Sequence, residues 1–269
     1  MTDLDVVASR EDVLAELIDG PVDKRDLTDR VDASRSTVDR AVRELEDAGL
    51  AKRQSRGYVA TLVGRLGLDC FRAYRREART LFGAEDALEP LPADCDLPLE
   101  FVGTAETEVA SRPAPYRPMQ RVHDAIAAAD EFRIVLPVLY DSRFLEHCYE
   151  HAVEEGNPTS LVVDESVVET AMNDFPEQTR KKTECEWFSV ETGKTPAYGL
   201  LLTTCDGVTE ATAIVFGRSM GPVHAVLQTD DPVAVRWAEA QFERCLRDAT
   251  TPGNSESTAE QGVTDGGQL

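Results

Sequence analysis

No cysteine pair of the C-x-x-C kind, no apolar run near the roughly 18 residues that a membrane span needs, and little lysine: these gaps set the first limits on the 269-residue chain. Its six cysteines, Cys70, Cys95, Cys148, Cys185, Cys205 and Cys245, stand far apart. That spacing argues against a zinc ribbon and against an exported disulfide scaffold, and leaves buried free thiols as the plain reading. The opening MTDLDVVASRED carries acids where a signal peptide carries a basic stretch, so a cytoplasmic protein without a membrane partner is expected. Lysine supplies only 5 of 28 basic residues, against 50 acidic ones and a net charge of −22. A salt-rich cytoplasm tolerates such a surface because screening removes its self-repulsion, so a halophilic source is expected.

What is present is organised in two parts, as the length suggests. Residues 1–81 hold 15 basic against 16 acidic side chains, whereas residues 82–269 hold 13 against 34. The acid burden belongs to the second part, and the first is free to meet a polyanion. In the first part, SREDVLAELIDG predicts a helix capped by Ser9, with Val13, Leu14, Leu17 and Ile18 on one stripe. DKRDLTDRV predicts a second, and SRSTVDRAVRELEDAG a third, capped by Ser34 and ended by Gly49. LAKRQSRGYVAT reads as a small hairpin with a basic tip. A long helix follows, with Val63, Leu66, Cys70, Phe71, Tyr74, Ala78 and Leu81 on a stripe that calls for a partner, which points to a homodimer.

Residues 83–98, acidic and broken by Pro90, Pro92 and Pro98, are expected to be a linker. Beyond them, strand and helix patterns alternate (RIVLPVLY, SRFLEHCYEHAVEEG, TSLVVD, ESVVETAMNDF), then four further strand patterns and a closing helix. The expected fold class is therefore α/β and multi-domain. A winged helix-turn-helix domain fills residues 1–82, a larger α/β sensor or dimerisation domain with a mixed sheet fills 99–248, and 249–269 form a disordered tail.

The chemistry concentrates between Asp23 and Gly64. A helix fits the DNA major groove, and its first turn is the part that reaches base edges. Ser34, Arg35, Ser36, Thr37 and Arg40 occupy that position, with Arg43 one turn on, suited to the backbone. Lys52, Arg53, Gln54, Ser55 and Arg56 form the wing tip, placed for phosphates or the minor groove. Six basic against four acidic residues over 33–57 set this stretch apart from the rest of the chain, and double-stranded DNA is the expected partner. A solvated basic face on a helix-hairpin module is the competing reading.

The stretch SRSTVDRAVRELEDAGLAKRQSRGYVATLVG resembles the recognition helix and wing of archaeal winged-helix regulators, particularly the haloarchaeal group whose second domain is similar to the middle domain of methanogenesis regulatory proteins. FRIVLPVLYDSRF and TSLVVDES, with the order of elements over residues 97–248, carry the resemblance in the second part. It implies a phospholipase-D-like sensor fold without that enzyme's chemistry. In keeping with this, none of the four histidines begins an H-x-K-x-x-x-x-D motif.

Two further constellations compete for a role. His147, Glu150 and His151 spell H-x-x-E-H, a zinc-peptidase pattern, so the alternative function is a metal-dependent hydrolase or a metal sensor, the latter with Cys148 as a further ligand. For a small-molecule effector, the carboxyl ends of the parallel strands nominate Tyr140, Asp141, Ser142 and Arg143, then Asp164 and Glu165. Ordinary loop polarity and helix caps at Ser142 and Ser166 account for the same residues. The function expected overall is a sequence-specific, effector-responsive transcriptional regulator that needs no cofactor and is not an enzyme.

Overall fold

A computed structural model describes residues 3–139, 142–174, 185–218 and 222–251, and the chain divides into two compact units, Met1–Arg79 and Thr80–Leu269. In the first unit the order is α1 (Asp3–Ser9), α2 (Glu11–Glu16), α3 (Lys24–Arg30), α4 (Arg35–Asp47), β1 (Ala51–Gln54), β2 (Gly57–Ala60) and α5 (Leu62–Gly83). Leu14, Leu17, Leu27, Val38, Val42 and Leu45 are fully buried together. At about 1.5 to 3 kcal/mol for each large apolar side chain removed from water, this cluster holds the helices around the hairpin. Ser9 does not cap α2 as expected. The segment before it forms its own helix, with Val6 and Val7 buried, and the Ser9 hydroxyl donates to the Val6 carbonyl.

In the second unit the described strands make one sheet of seven, in the order β3-β9-β8-β7-β4-β5-β6. These are β3 (Glu106–Val109), β4 (Glu131–Leu136), β5 (Thr159–Val163), β6 (Phe188–Thr192), β7 (Gly199–Cys205), β8 (Val208–Phe216) and β9 (Val223–Thr229). β4, β5 and β6 run parallel, and β7, β8, β9 and β3 continue antiparallel from the other side of β4, so the sheet is mixed. Alternate residues feed opposite faces, as the pleat dictates. Val135, Val162, Leu200 and Leu202 pack on one side with α6 (Glu85–Leu88), α7 (Leu99–Val102) and the closing helix α11 (Pro232–Arg247). Ile134, Leu136, Leu161, Val163 and Leu201 pack on the other with α8 (Arg117–Ala127), α9 (Ser142–Tyr149) and α10 (Glu165–Asp174). Both faces are covered, which is why these strands read as near-continuous apolar runs.

Residues 83–98 correct the linker expectation. Ala84 and Ala87 are 1% and 0% exposed, in the same core cluster as the sheet, with Leu88, Leu91, Cys95 and Leu97 packed around them. Asp96 is tied to Tyr198, Gln241 and Arg244. At the far end Thr250 pairs with Thr192 through both backbone bonds, so described structure continues past residue 248, and residues 252–269 lie outside the described ones. Among the described residues no helix is long and apolar enough to cross a membrane.

Candidate nucleic-acid interface

α4 is set by its start. Ser34 stands in extended backbone, and its hydroxyl accepts from the Thr37 amide at 3.2 Å while lying 2.8 and 2.9 Å from the hydroxyls of Thr37 and Ser36. That cap satisfies an amide the helix leaves open. Ser34 therefore serves the helix first, and its hydroxyl is engaged within the chain. With Val38, Ala41, Val42 and Leu45 facing the core, the 100° step between residues turns Ser36, Arg40 and Arg43 outward.

The wing is fastened at its base. β1 and β2 pair from Ala51↔Ala60 to Gln54↔Gly57, leaving Ser55 and Arg56 as a two-residue turn. Val22 exchanges both backbone bonds with Tyr58, and the Ala60 amide donates to the Leu17 carbonyl. Thr61 locks the exit, its hydroxyl donating to the Gly49 carbonyl at 2.7 Å and accepting from the Gly64 amide at 3.0 Å. Gly57, at φ +134°, is required here, because a Cβ would sit 2.3 Å from the Val22 carbonyl oxygen.

Every side chain nominated for DNA contact is exposed: Ser34, Arg35, Ser36, Thr37, Arg40 and Arg43 on and before α4, and Lys52, Arg53, Gln54, Ser55 and Arg56 on the wing. Two groups of the unit's cations differ in how they are used. Arg10, Lys24, Arg30, Arg72 and Arg75 are used in ion pairs with Glu44, Asp39, Glu16 and Glu11. Among the described residues no such pair engages Arg35, Arg40, Arg43, Lys52, Arg53 or Arg56. Sequence reasoning missed a consequence of the first group. Two of the acids on α4 are compensated in place, because Lys24 bonds Asp39 at 2.9 Å and Arg10 bonds Glu44 at 2.6 Å. Those bonds hold both carboxyls below their ordinary range. The field over α4 is more positive than its composition indicates.

The other nominated residues fare differently. Tyr140 and Asp141 lie outside the described residues, and Ser142 and Arg143 open α9 with nothing described of their side chains. Asp164 is a helix cap, accepting from the Ser166 amide at 3.0 Å and its hydroxyl at 2.6 Å, so the cap expected at Ser166 sits two residues earlier. Glu165 begins α10, exposed.

The zinc pattern is corrected by its second histidine. His151 is 3% exposed. Its Nε2 lies 2.9 Å from the Ala129 carbonyl, which only accepts, so Nε2 carries the proton, and Nδ1 is engaged with the Thr159 hydroxyl at 2.7 Å. No lone pair is left for a metal. His147 stacks on His123 with ring centroids 4.7 Å apart, and Cys148 is buried. Among the described residues no group of three His, Cys, Asp or Glu side chains is placed to hold a metal ion. We expect His151→Ala to cost about 1 to 3 kcal/mol by leaving buried partners unpaired, and equimolar zinc to leave the melting temperature of the unaltered protein where it was. A clear upward shift with zinc would restore the metal reading.

A helical cluster closed by a two-stranded wing, with an exposed cationic helix face beside it, defines a winged helix-turn-helix protein of the transcriptional-regulator class. Residues 1–80 match the HVO_A0261 N-terminal domain, and residues 115–248 match the middle domain of the methanogenesis regulatory protein FilR1. Together the two matches span most of the chain, which is thus similar to regulators that carry a FilR1-type middle domain. No curated protein sequence matches it. Similar solved structures include TrmBL2, described as an archaeal chromatin protein with a novel mode of DNA binding, at 12% identity and TM-score 0.42 over 90% of this chain and 93% of that one. NucT from Helicobacter pylori is similar at 11% identity and TM-score 0.41, over 55% of this chain and 99% of that one. At such scores neither likeness bears on what the chain does.

Proposed function

We propose that the chain is a sequence-specific, double-stranded DNA-binding transcriptional regulator of a halophilic archaeon, working as a cytoplasmic homodimer whose second unit answers a small-molecule effector. One observation carries the reading. Among the described residues, the cations on the exposed face of α4 and on the wing are in no ion pair, although acids outnumber bases across the chain and other cations of the same unit are paired. Arg35, Ser36, Thr37 and Arg40 enter the major groove, Arg43 meets the backbone, and the wing from Lys52 to Arg56 follows phosphates. Selecting duplexes from a random-sequence pool tests this: one two-fold symmetric motif is expected to emerge. Enrichment of nothing beyond the input would sink the proposal.

The dimer draws support from α5. The stripe expected to face a partner divides: Phe71 turns toward the unit's own core near the buried Leu68, while Val63, Leu66 and Tyr74 remain 65%, 53% and 59% exposed. Large apolar side chains at helical spacing in water mark an interface more often than a free surface. Leu66→Glu with Tyr74→Glu is therefore expected to turn a dimeric mass in light scattering into a monomeric one. A mass that stays dimeric would place the interface elsewhere.

Salt offers a separate check. With an acid-rich second unit, cations are taken up as well as released when DNA binds, so affinity falls with salt less steeply than for a basic repressor. A slope of about one counterion per phosphate contact, measured from low to molar salt, would contradict this.

A further inference from the structure

A cleft of about 450 Å³ opens in the second unit, between the segment around Asp96, the crossover from β6 to β7, and the last turns of α11. Its place follows from the topology. β4, β5 and β6 are parallel and end at Leu136, Val163 and Thr192, and β7 starts at Gly199 antiparallel to β4, so residues 193–198 run along the carboxyl edge of the parallel strands. Open α/β sheets take ligands at that edge, in clefts of roughly 300 to 1,000 Å³. The positions nominated from sequence belong to the same edge at the ends of β4 and β5, whereas the cleft forms under the next crossover.

Its polar floor is built rather than incidental. The Asp96 carboxylate accepts from Tyr198 Oη at 2.9 Å, Gln241 Nε2 at 3.0 Å and Arg244 Nη2 at 2.5 Å. Tyr198 is fully buried and Gln241 only 4% exposed. Burial and the Asp96 charge push the Tyr198 hydroxyl far above its ordinary range, which keeps it a donor. A satisfied network of this kind fixes geometry, because each bond holds the next in place. Arg244 compensates Asp96, so the charges left to meet a ligand are Asp94 and Asp248 on one side of the account and Lys194 on the other. Lys194 is exposed and makes no ion pair among the described residues. Pro196 and Ala197 add apolar lining.

We propose that this cleft binds a small zwitterion of the amino-acid class, its carboxylate on Lys194, its ammonium on Asp94 and Asp248, and its side chain against Pro196 and Ala197. A simple anion meets two uncompensated aspartates here, and a simple amine meets Lys194; a molecule carrying both charges satisfies the set. The cleft shares no residue with the cationic helix and wing, and its occupancy is measured without DNA, so failure here leaves the DNA reading standing.

The test is calorimetric titration of the full-length protein with each of the twenty protein L-amino acids, and with acetate and ethylamine as probes of one charge each. At least one amino acid is expected to bind at millimolar concentration or below, and Lys194→Met and Asp248→Asn, both surface changes, are each expected to weaken it by about tenfold or more, the loss of a charge-assisted bond. Binding by no amino acid, binding undiminished in either variant, or equal binding of acetate or ethylamine would overturn the proposal.

Discussion

Replacing Arg35 and Arg40 together with alanine is expected to lower affinity for the selected duplex by at least about thirtyfold while the protein stays folded, since each bidentate base contact is worth roughly 1 to 3 kcal/mol. Neither arginine holds the unit together. Both are exposed on α4 with no ion pair among the described residues, while the core side of that helix is Val38, Ala41, Val42 and Leu45. Their loss should therefore leave the melting temperature nearly unchanged. The single changes should relax selectivity at particular base pairs, whereas Arg53→Ala in the wing should weaken all sequences alike. Affinity that survives the double change would remove α4 from the interface.

The second large effect concerns stability. Gly64 lies in the first turn of α5, and an alanine Cβ there would sit 1.9 Å from the Leu50 carbonyl oxygen and 2.8 Å from its carbonyl carbon, both backbone atoms. That oxygen already accepts the Thr61 amide at 2.9 Å, so it has nowhere to retreat without undoing the join between wing and helix. We expect Gly64→Ala to cost about 3 kcal/mol or more, which in a unit of this size lowers its melting temperature by more than about 10 °C. Gly67 is the internal control. Its Cβ would meet only Val7 Cγ2 at 3.7 Å and Leu50 Cδ2 at 3.9 Å, ordinary contacts. Gly67→Ala should thus be neutral or stabilising by about 0.5 to 1 kcal/mol through helix propensity. Equal melting of the two variants would show that the helix does not approach the wing this closely.

The parts of the fold legible from sequence are those where local chemistry and global packing agree. Ser34 announces its helix and caps it; the i, i+3, i+4, i+7 spacing of Val38, Ala41, Val42 and Leu45 is the buried face; and the apolar runs of β4, β5 and β7 are central strands. Where they disagree, reading fails. The prolines and acids between residues 83 and 98 signal a linker, yet Ala84, Ala87, Leu88 and Leu91 follow i, i+3, i+4, i+7, and that faint stripe was the available sign of a packed segment. β3, with the sequence ETEV, has nothing apolar before its last residue, as an edge strand allows, and only its partner β9 reveals it. The histidine pattern is a poor guide because five residues cannot report what lies beside them: Ala129 and Thr159, distant in sequence by 22 and 8 residues, claim both nitrogens of His151. Of the interface, the exposed residues were readable, and the ion pairs that quiet Asp39 and Glu44 were not, since Lys24 and Arg10 reach them from other helices.

The sheet order has a consequence for how the protein is made. β3 begins at Glu106 and waits for β9, whose first residue is Val223, while β4 must admit β7 from beyond β5 and β6. A ribosome therefore releases most of the second unit before β3 and β4 meet their antiparallel partners β9 and β7. Pairings this distant are slow and exposed to aggregation, whereas the first unit ends at Arg79 and is complete while the rest is still being translated.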